Sequence, residues 1–127
     1  MYQVLIASTI GSISSSLADA LRTDHIVHIC DCGDVAVDII DSIKPEVLIT
    51  DINLPYMDVL TVLRHTSFRP PAIVAFATYV SPAIVHAAAS YGIGRIIMLP
   101  NSVEVILSCT YELIEEKLHN KIPSLDH

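Results

Sequence analysis

A chain of 127 residues with 52% hydrophobic and only 17% charged side chains is long enough for one packed core and too apolar to be disordered. Fourteen acidic against seven scattered basic side chains leave a formal charge of −7, which excludes phosphate-backbone binding as the work of this chain. Met1-Tyr2-Gln3 runs directly into a short apolar run without a basic region or cleavage site, so no export signal is expected and a cytoplasmic setting follows.

Val4-Leu5-Ile6-Ala7 reads as the first strand. Apolar residues at 13, 17, 18 and 21 make a helical stripe over Ile13 to Arg22. Ile26 to Cys30 is the second strand, with Ile26, His28 and Cys30 on one face. Asp34 is the expected N-cap of a helix to about Ile43, which Lys44-Pro45 ends. Val47 to Thr50 is a buried third strand that stops at the carboxylate of Asp51, and Pro55 ends regular structure beyond it. A helix from Val59 to His65 follows, closed by Pro70-Pro71. Ala72 to Phe76 is strand four. Ser81 and Pro82 form a strong helix start, and that helix runs to Tyr91 and ends at Gly92. Arg95 to Leu99 is strand five, stopped by Pro100, and Ser102 opens a last helix to about His119.

Five strands alternating with five helices imply a parallel sheet covered on both faces. Right-handed crossovers then give an α/β fold, a flavodoxin-like three-layer αβα sandwich with a five-stranded parallel sheet. Residues 1–120 are expected to form this one domain and residues 121–127 a tail. Open α/β sheets place their chemistry at the carboxyl ends of the strands, which singles out Asp51.

Other motifs carry less. Cys30, Cys32 and Cys109 are an odd count, so reduced thiols are expected. Cys30-Asp31-Cys32 with His25 and His28 nearby has metal-ligand residue types, but zinc sites ordinarily space their cysteines by two or more residues. The simpler reading is a strand end with one sulfur buried. Histidines 25, 28, 65, 86, 119 and 127 do not converge, and no strained nucleophile turn is present, so no enzyme activity is expected. The loop Ser8-Thr9-Ile10-Gly11-Ser12 is rich in hydroxyls ahead of a helix, a composition that can cradle a phosphate of a nucleotide or flavin. Only Tyr79 is placed to wall a flavin ring, and the same serines can simply cap the helix.

The stretch from Lys44-Pro45-Glu46-Val47 through Leu54-Pro55-Tyr56-Met57-Asp58, together with Tyr91-Gly92-Ile93-Gly94 through Leu99-Pro100, resembles the response-regulator receiver domains, the CheY-like family of two-component signalling. The resemblance spans about 120 residues. Its wording is nearest to the receiver of the sporulation response regulator of spore-forming bacteria. It implies that Asp51 is the phospho-acceptor position. It also implies what the chain has lost. The acidic pair that holds magnesium in the family stands here as Ser8 and Thr9, with Asn53 offering a backbone carbonyl. The hydroxyl residue after strand four stands as Ala77, with Thr78 one place later. The switch aromatic stands as Ile96, and the lysine before the last proline as Leu99.

Magnesium prefers hard, charged oxygen ligands, so its binding is expected to be weak or absent, and no other cofactor is implied. Removing two carboxylates and an ammonium, each worth on the order of 2–4 kcal/mol to the transfer, points to a pseudo-receiver that no longer works by phosphorylation. Asp51 then either caps its own loop or keeps a residual phospho-acceptor role, and Asp58 stabilises the turn before the third helix.

Between Arg69 and Arg95 there is no Asp, Glu, Lys or Arg. A surface helix normally carries a charged face. The helix from Pro82 to Tyr91 therefore exposes small apolar residues, with Ala83, Ile84, Ala87, Ala88 and Tyr91 as the expected contact set. The receiver resemblance implies that the fourth helix, fifth strand and fifth helix form a docking and homodimerisation face. The expected role is thus a protein-interaction module of a transcriptional regulator or an adaptor, with a phospho-accepting receiver as the alternative and a flavodoxin-like ligand binder as the outsider.

Overall fold

The computed structural model describes residues 1–118; the end of the last helix at His119, the tail 121–127 and His127 lie outside the described residues. The elements are β1 (Gln3–Ala7), α1 (Gly11–Leu21), β2 (Ile26–Cys30), α2 (Gly33–Ile43), β3 (Val47–Asp51), α3 (Val59–His65), β4 (Ala72–Ala77), α4 (Pro82–Ala88) with a 3-10 turn Ala89–Tyr91, β5 (Ile93–Met98) and α5 (Val103–Lys117). All five strands are parallel, in the order β2-β1-β3-β4-β5. This is the flavodoxin-like order expected from the alternation of elements.

Strict alternation along the strands divides the interior in two. Leu5, Ala7, Leu48, Ile73 and Ala75 face a layer made with Ala36, Ile40, Val59, Val62, Leu63 and Ala88, from α2, α3 and α4. Val4, Ile6, Ile49, Val74 and Phe76 face the other layer, with Leu17, Ala18, Leu21, Ile106, Leu113 and Ile114 from α1 and α5. Because both faces are buried, β1, β3 and β4 read as continuous apolar runs rather than alternating ones.

Element ends differ from expectation where backbone chemistry outweighs pattern. The N-cap of α2 is Cys32, not Asp34; Asp34 lies in the first turn, where its charge favours the positive end of the helix. Helix α4 stops at Ala88 and tightens into the 3-10 turn, which Gly92 closes at φ 84°. Strand β5 starts two residues before Arg95. Its pairing with β4 skips Gly94, since Ile73 faces Ile93 while Val74 faces Arg95. The irregularity explains why two glycines sit inside or beside a strand that a sequence reading starts after them. A Cβ at Gly94 would lie 2.7 Å from both terminal carbons of Leu113.

Two further features fix the loops. Arg69 donates from one guanidinium nitrogen to the Tyr91 carbonyl at 2.7 Å and from the other to the Leu63 carbonyl at 3.2 Å, tying the ends of α3 and of the 3-10 turn together. Gly33 packs against the loop before α3 so closely that a Cβ there would meet the Met57 carbonyl oxygen at 2.2 Å, while its N–H donates to the Pro55 carbonyl at 3.0 Å.

Gly33→Ala must therefore displace backbone and is expected to cost about 1–3 kcal/mol. Gly11→Ala, with open space around the added methyl, is expected to be neutral or to stabilise by up to about 1 kcal/mol. Urea unfolding of the two variants checks the contrast.

Candidate functional site

The carboxyl ends of the strands carry the candidate site. Asp51 is the last residue of β3 and is half-buried beside Phe76 of β4. One carboxylate oxygen accepts the Asn53 N–H at 2.9 Å, the only hydrogen bond to its side chain among the described residues. This is a side chain closing its own loop, as expected for an aspartate at a strand end. Asn53 is exposed, and its side-chain amide donates to the Tyr79 carbonyl at 3.5 Å, which links the β3–α3 loop to the β4–α4 loop. Asp58, expected to stabilise the turn before the third helix, does so as the N-cap of α3, accepting the Thr61 N–H at 2.9 Å.

Ser8 follows β1 directly and is buried. Its N–H donates to the Cys30 carbonyl, and its hydroxyl oxygen accepts the Ile10 N–H at 3.0 Å. Thr9 points outward. The serines do not cap α1: its N-cap is Ile10, with no side-chain cap bond. The hydroxyl of Ser14 is buried without a hydrogen-bond partner among the described residues.

Ala77 ends β4, one residue beyond the partner of Asp51, and its methyl packs into the core shared with α2, α3 and α4. Thr78 lies outside the strand and is exposed. Ile96 is half-buried against the same core, and Leu99 is half-buried against the other one, its N–H donating to the Ala77 carbonyl at 2.8 Å.

The donor set at this edge can be weighed for a divalent ion. Asp51 contributes one carboxylate, and Ser8 and Thr9 contribute hydroxyls without charge. No group of three or more His, Cys, Asp or Glu side chains placed to hold a metal occurs among the described residues. A hard, doubly charged ion is poorly served by that set, so the residues do not fit a magnesium ion held by the protein.

The cysteines at the end of β2 are free. Burial pushes the Cys30 thiol up to about 11. Cys32 is raised and Asp34 lowered by the hydrogen bond between the two side chains.

On α4 the structure corrects the expected contact set. Ala88 faces the core and is 3% exposed, so it belongs to no surface. Ala83 is exposed, while Ile84, Ala87 and Tyr91 are half-buried. Val85, which the periodicity alone did not single out, is 53% exposed. Tyr91 is flanked by the guanidinium carbons of Arg64 at 6.0 Å and Arg69 at 5.7 Å. Met98 on β5 and Val105 and Tyr111 on α5 are exposed as well.

No protein-family model and no curated protein matches the chain. Solved structures do. A CheY-like response-regulator receiver domain protein of Methanospirillum hungatei superposes with a TM-score of 0.82 at 21% identity, covering 92% of this chain and 96% of its own. The non-phosphorylated receiver domain of HemR from Leptospira biflexa gives 0.78 at 12% identity, over 90% and 94%. The receiver domain of a sensor histidine kinase of Pseudomonas aeruginosa, which has a magnesium ion coordinated in its active-site cleft, gives 0.72 at 16% identity, over 89% and 97%. The fold is that of the CheY-like receiver domains. No helix among the described residues is long and apolar enough to cross a membrane.

Two outcomes follow from this geometry. Asp51→Ala removes the acceptor for the Asn53 N–H and is expected to destabilise by about 1 kcal/mol, while Asp51→Asn keeps an acceptor oxygen and stays within about 0.5 kcal/mol; thermal and urea unfolding distinguish them. For Cys30, the folded thiol holds its proton more tightly than the unfolded one, whose ordinary value is 9.0. Its contribution to stability is thus complete below pH 9 and is lost as pH rises toward about 11. Urea unfolding across that range is expected to show a decline that Cys30→Ala reduces.

Proposed function

We propose that this chain is a receiver-fold domain that acts as a protein-interaction module without phosphorylation, the regulatory part of a transcriptional regulator or a free-standing adaptor. The observation that carries the reading is the surroundings of Asp51: Ser8 with its hydroxyl engaged by the Ile10 N–H, Ala77 with its methyl in the core, and Leu99 in the other core. Phosphoryl transfer to a carboxylate brings two anions together and needs positive charge beside them. Neither a second carboxylate to hold a metal nor an ammonium to meet the product stands at these positions. No enzyme activity and no resident cofactor belong to this reading, and its setting is cytoplasmic. The wording of the Lys44–Asp58 segment supports a regulator of the sporulation type as the parent protein.

The proposed partner is a second copy, through α4, β5 and α5. Support comes from the uncharged outer side of α4, where Ala83 and Val85 are exposed, and from the neighbouring Met98, Val105 and Tyr111. Exposed apolar side chains of this kind mark contact sites. The acidic balance of the chain assigns any DNA contact to another part of the protein. One observation favours a second reading, a phospho-accepting receiver: Asp51 still ends the central strand with one oxygen unengaged.

Incubation with acetyl phosphate and magnesium, followed by intact mass measurement, decides between the two. No adduct on Asp51 is expected, and a stoichiometric adduct absent from Asp51→Asn overturns the first reading. Light scattering of the purified chain is expected to give a dimer mass. Val85→Asp, which places a charge on the exposed side, is expected to weaken the dimer by about 2 kcal/mol without unfolding the domain. A concentration-independent monomer would remove the dimer from the proposal.

A further inference from the structure

The described Lys and Arg residues are distributed unevenly along the strand axis. Arg22 and Lys44 follow the last turns of α1 and α2, Arg64 and Lys117 lie in the last turns of α3 and α5, Arg69 leads into β4, and Arg95 lies inside β5. None occurs in the five segments that leave the carboxyl edge of the sheet, residues 8–10, 31–32, 52–58, 78–81 and 99–102. Asp31 and Asp58 lie there, Asp51 ends the strand just before one of those segments, and Asp34 and Glu104 lie in the adjoining first turns. Five helix N-termini offset part of that negative field. Asp58 is engaged as a cap. Asp51 keeps one oxygen unengaged among the described residues.

The same edge exposes large apolar side chains. Tyr56 is 89% exposed and sits at φ 69°, a left-handed conformation that a tyrosine adopts only when the loop imposes it. Tyr79 is 69% and Met98 47% exposed. Asn53 joins the parts, since its N–H binds Asp51 and its amide reaches the carbonyl of Tyr79. A guanidinium stacks on an aromatic ring and pairs bidentately with an acid, and this edge exposes both residue types on the loops that Asn53 links.

We propose that the carboxyl edge of the sheet is a docking surface for a basic protein segment, in which an arginine of the partner pairs with Asp51 and stacks on Tyr79 while Tyr56 and Met98 cover its apolar neighbours. The argument for this occupant is charge complementarity: the edge has acids and aromatics but no cation of its own among the described residues. The proposal rests on the reading of Asp51 as an unmodified carboxylate, and it shares only Met98 with the α4–β5–α5 face.

The test is an amide chemical-shift titration of the full chain with a blocked peptide of alternating alanine, leucine and arginine, beside the same peptide with citrulline for arginine. Shifts at residues 52–58 and 78–80 are expected for the arginine peptide only, weakening with salt. Asp51→Asn and Tyr79→Ala, with unchanged circular dichroism, are each expected to weaken binding about fivefold. Val85→Asp is expected to leave it unchanged, so a failed dimer and a failed docking site are told apart. Equal binding by the parent and both variants overturns the proposal, as do shifts centred on Glu112, Glu115 and Glu116. Magnesium chloride alone moving the same amides and displacing the peptide overturns it too, because the edge is then a metal site. An acetyl phosphate adduct on Asp51 removes its premise instead.

Discussion

The structure depends on a parallel sheet buried on both faces. Parallel strands need crossovers, the crossovers are helices, and the helices cover both sides of the sheet. Side chains inside such a sheet have no water to meet, so Val4 to Ala7 and Ala72 to Ala77 are buried throughout. Polar chemistry is thereby driven to the strand ends. Asp51 is where β3 reaches that boundary: Thr50 is buried and Asp51 is half out. The loop beyond it is held at three points, by the Gly33 N–H on the Pro55 carbonyl, the Val59 N–H on the Ile52 carbonyl and the Asp58 cap on Thr61. Held in this way, the loop turns Tyr56 outward at a backbone angle that open chain would avoid.

The uneven placement of charge has the same origin. Every helix runs antiparallel to the strands, so each N-terminus meets the carboxyl edge. Acids stabilise helix N-termini and bases stabilise C-termini by a few tenths to about 1 kcal/mol each. Asp34, Asp58 and Glu104 follow that preference at one end, and Arg64 and Lys117 at the other. A cation at the carboxyl edge must therefore come from a strand end or a loop. The residue before Pro100 is such a position, and here it is Leu99, packed into the core formed with α1 and α5. Arg95 is on β5 but is held by Glu116 at 2.6 Å on its own side of the molecule.

The sheet order and helix number were legible because alternating apolar runs and helical stripes admit few topologies. The starts of α4 and α5 were legible from Ser81-Pro82 and Ser102, whose side chains accept amides of the first turn, whereas the cap that Asp58 makes on α3 was read only as support for the loop before it. The start of β5 was not, because Gly94 reads as a breaker until Leu113 is seen to occupy the space of its missing Cβ. Nor was the direction of Ala88: a run of alanines has no hydrophobic contrast from which to choose a face. Within the candidate site, the position of Asp51 and its loop bond followed from the strand ending at an acid. The burial of Ser8 and the exposure of Tyr56 and Tyr79 depend on how three separate loops pack, which no local pattern encodes.

The balance at Asp51 can then be argued from magnitudes. A unit charge pair 4 Å apart at a protein surface is worth roughly 4 kcal/mol, and a phosphorylated aspartate carries nearly two negative charges. Without a cation to meet them, those charges would sit beside a buried serine, a core alanine and a leucine, with only helix dipoles to offset them. The loop bond that Asp51 makes now, from the Asn53 N–H, is worth about 1 kcal/mol and is enough to favour an acceptor at the position. It does not require a charge, since an asparagine supplies the same oxygen. What the negative charge adds beyond that bond is attraction for a cation from outside the chain, and that attraction is the electrostatic basis on which both the unmodified-carboxylate reading and the proposed basic partner rest.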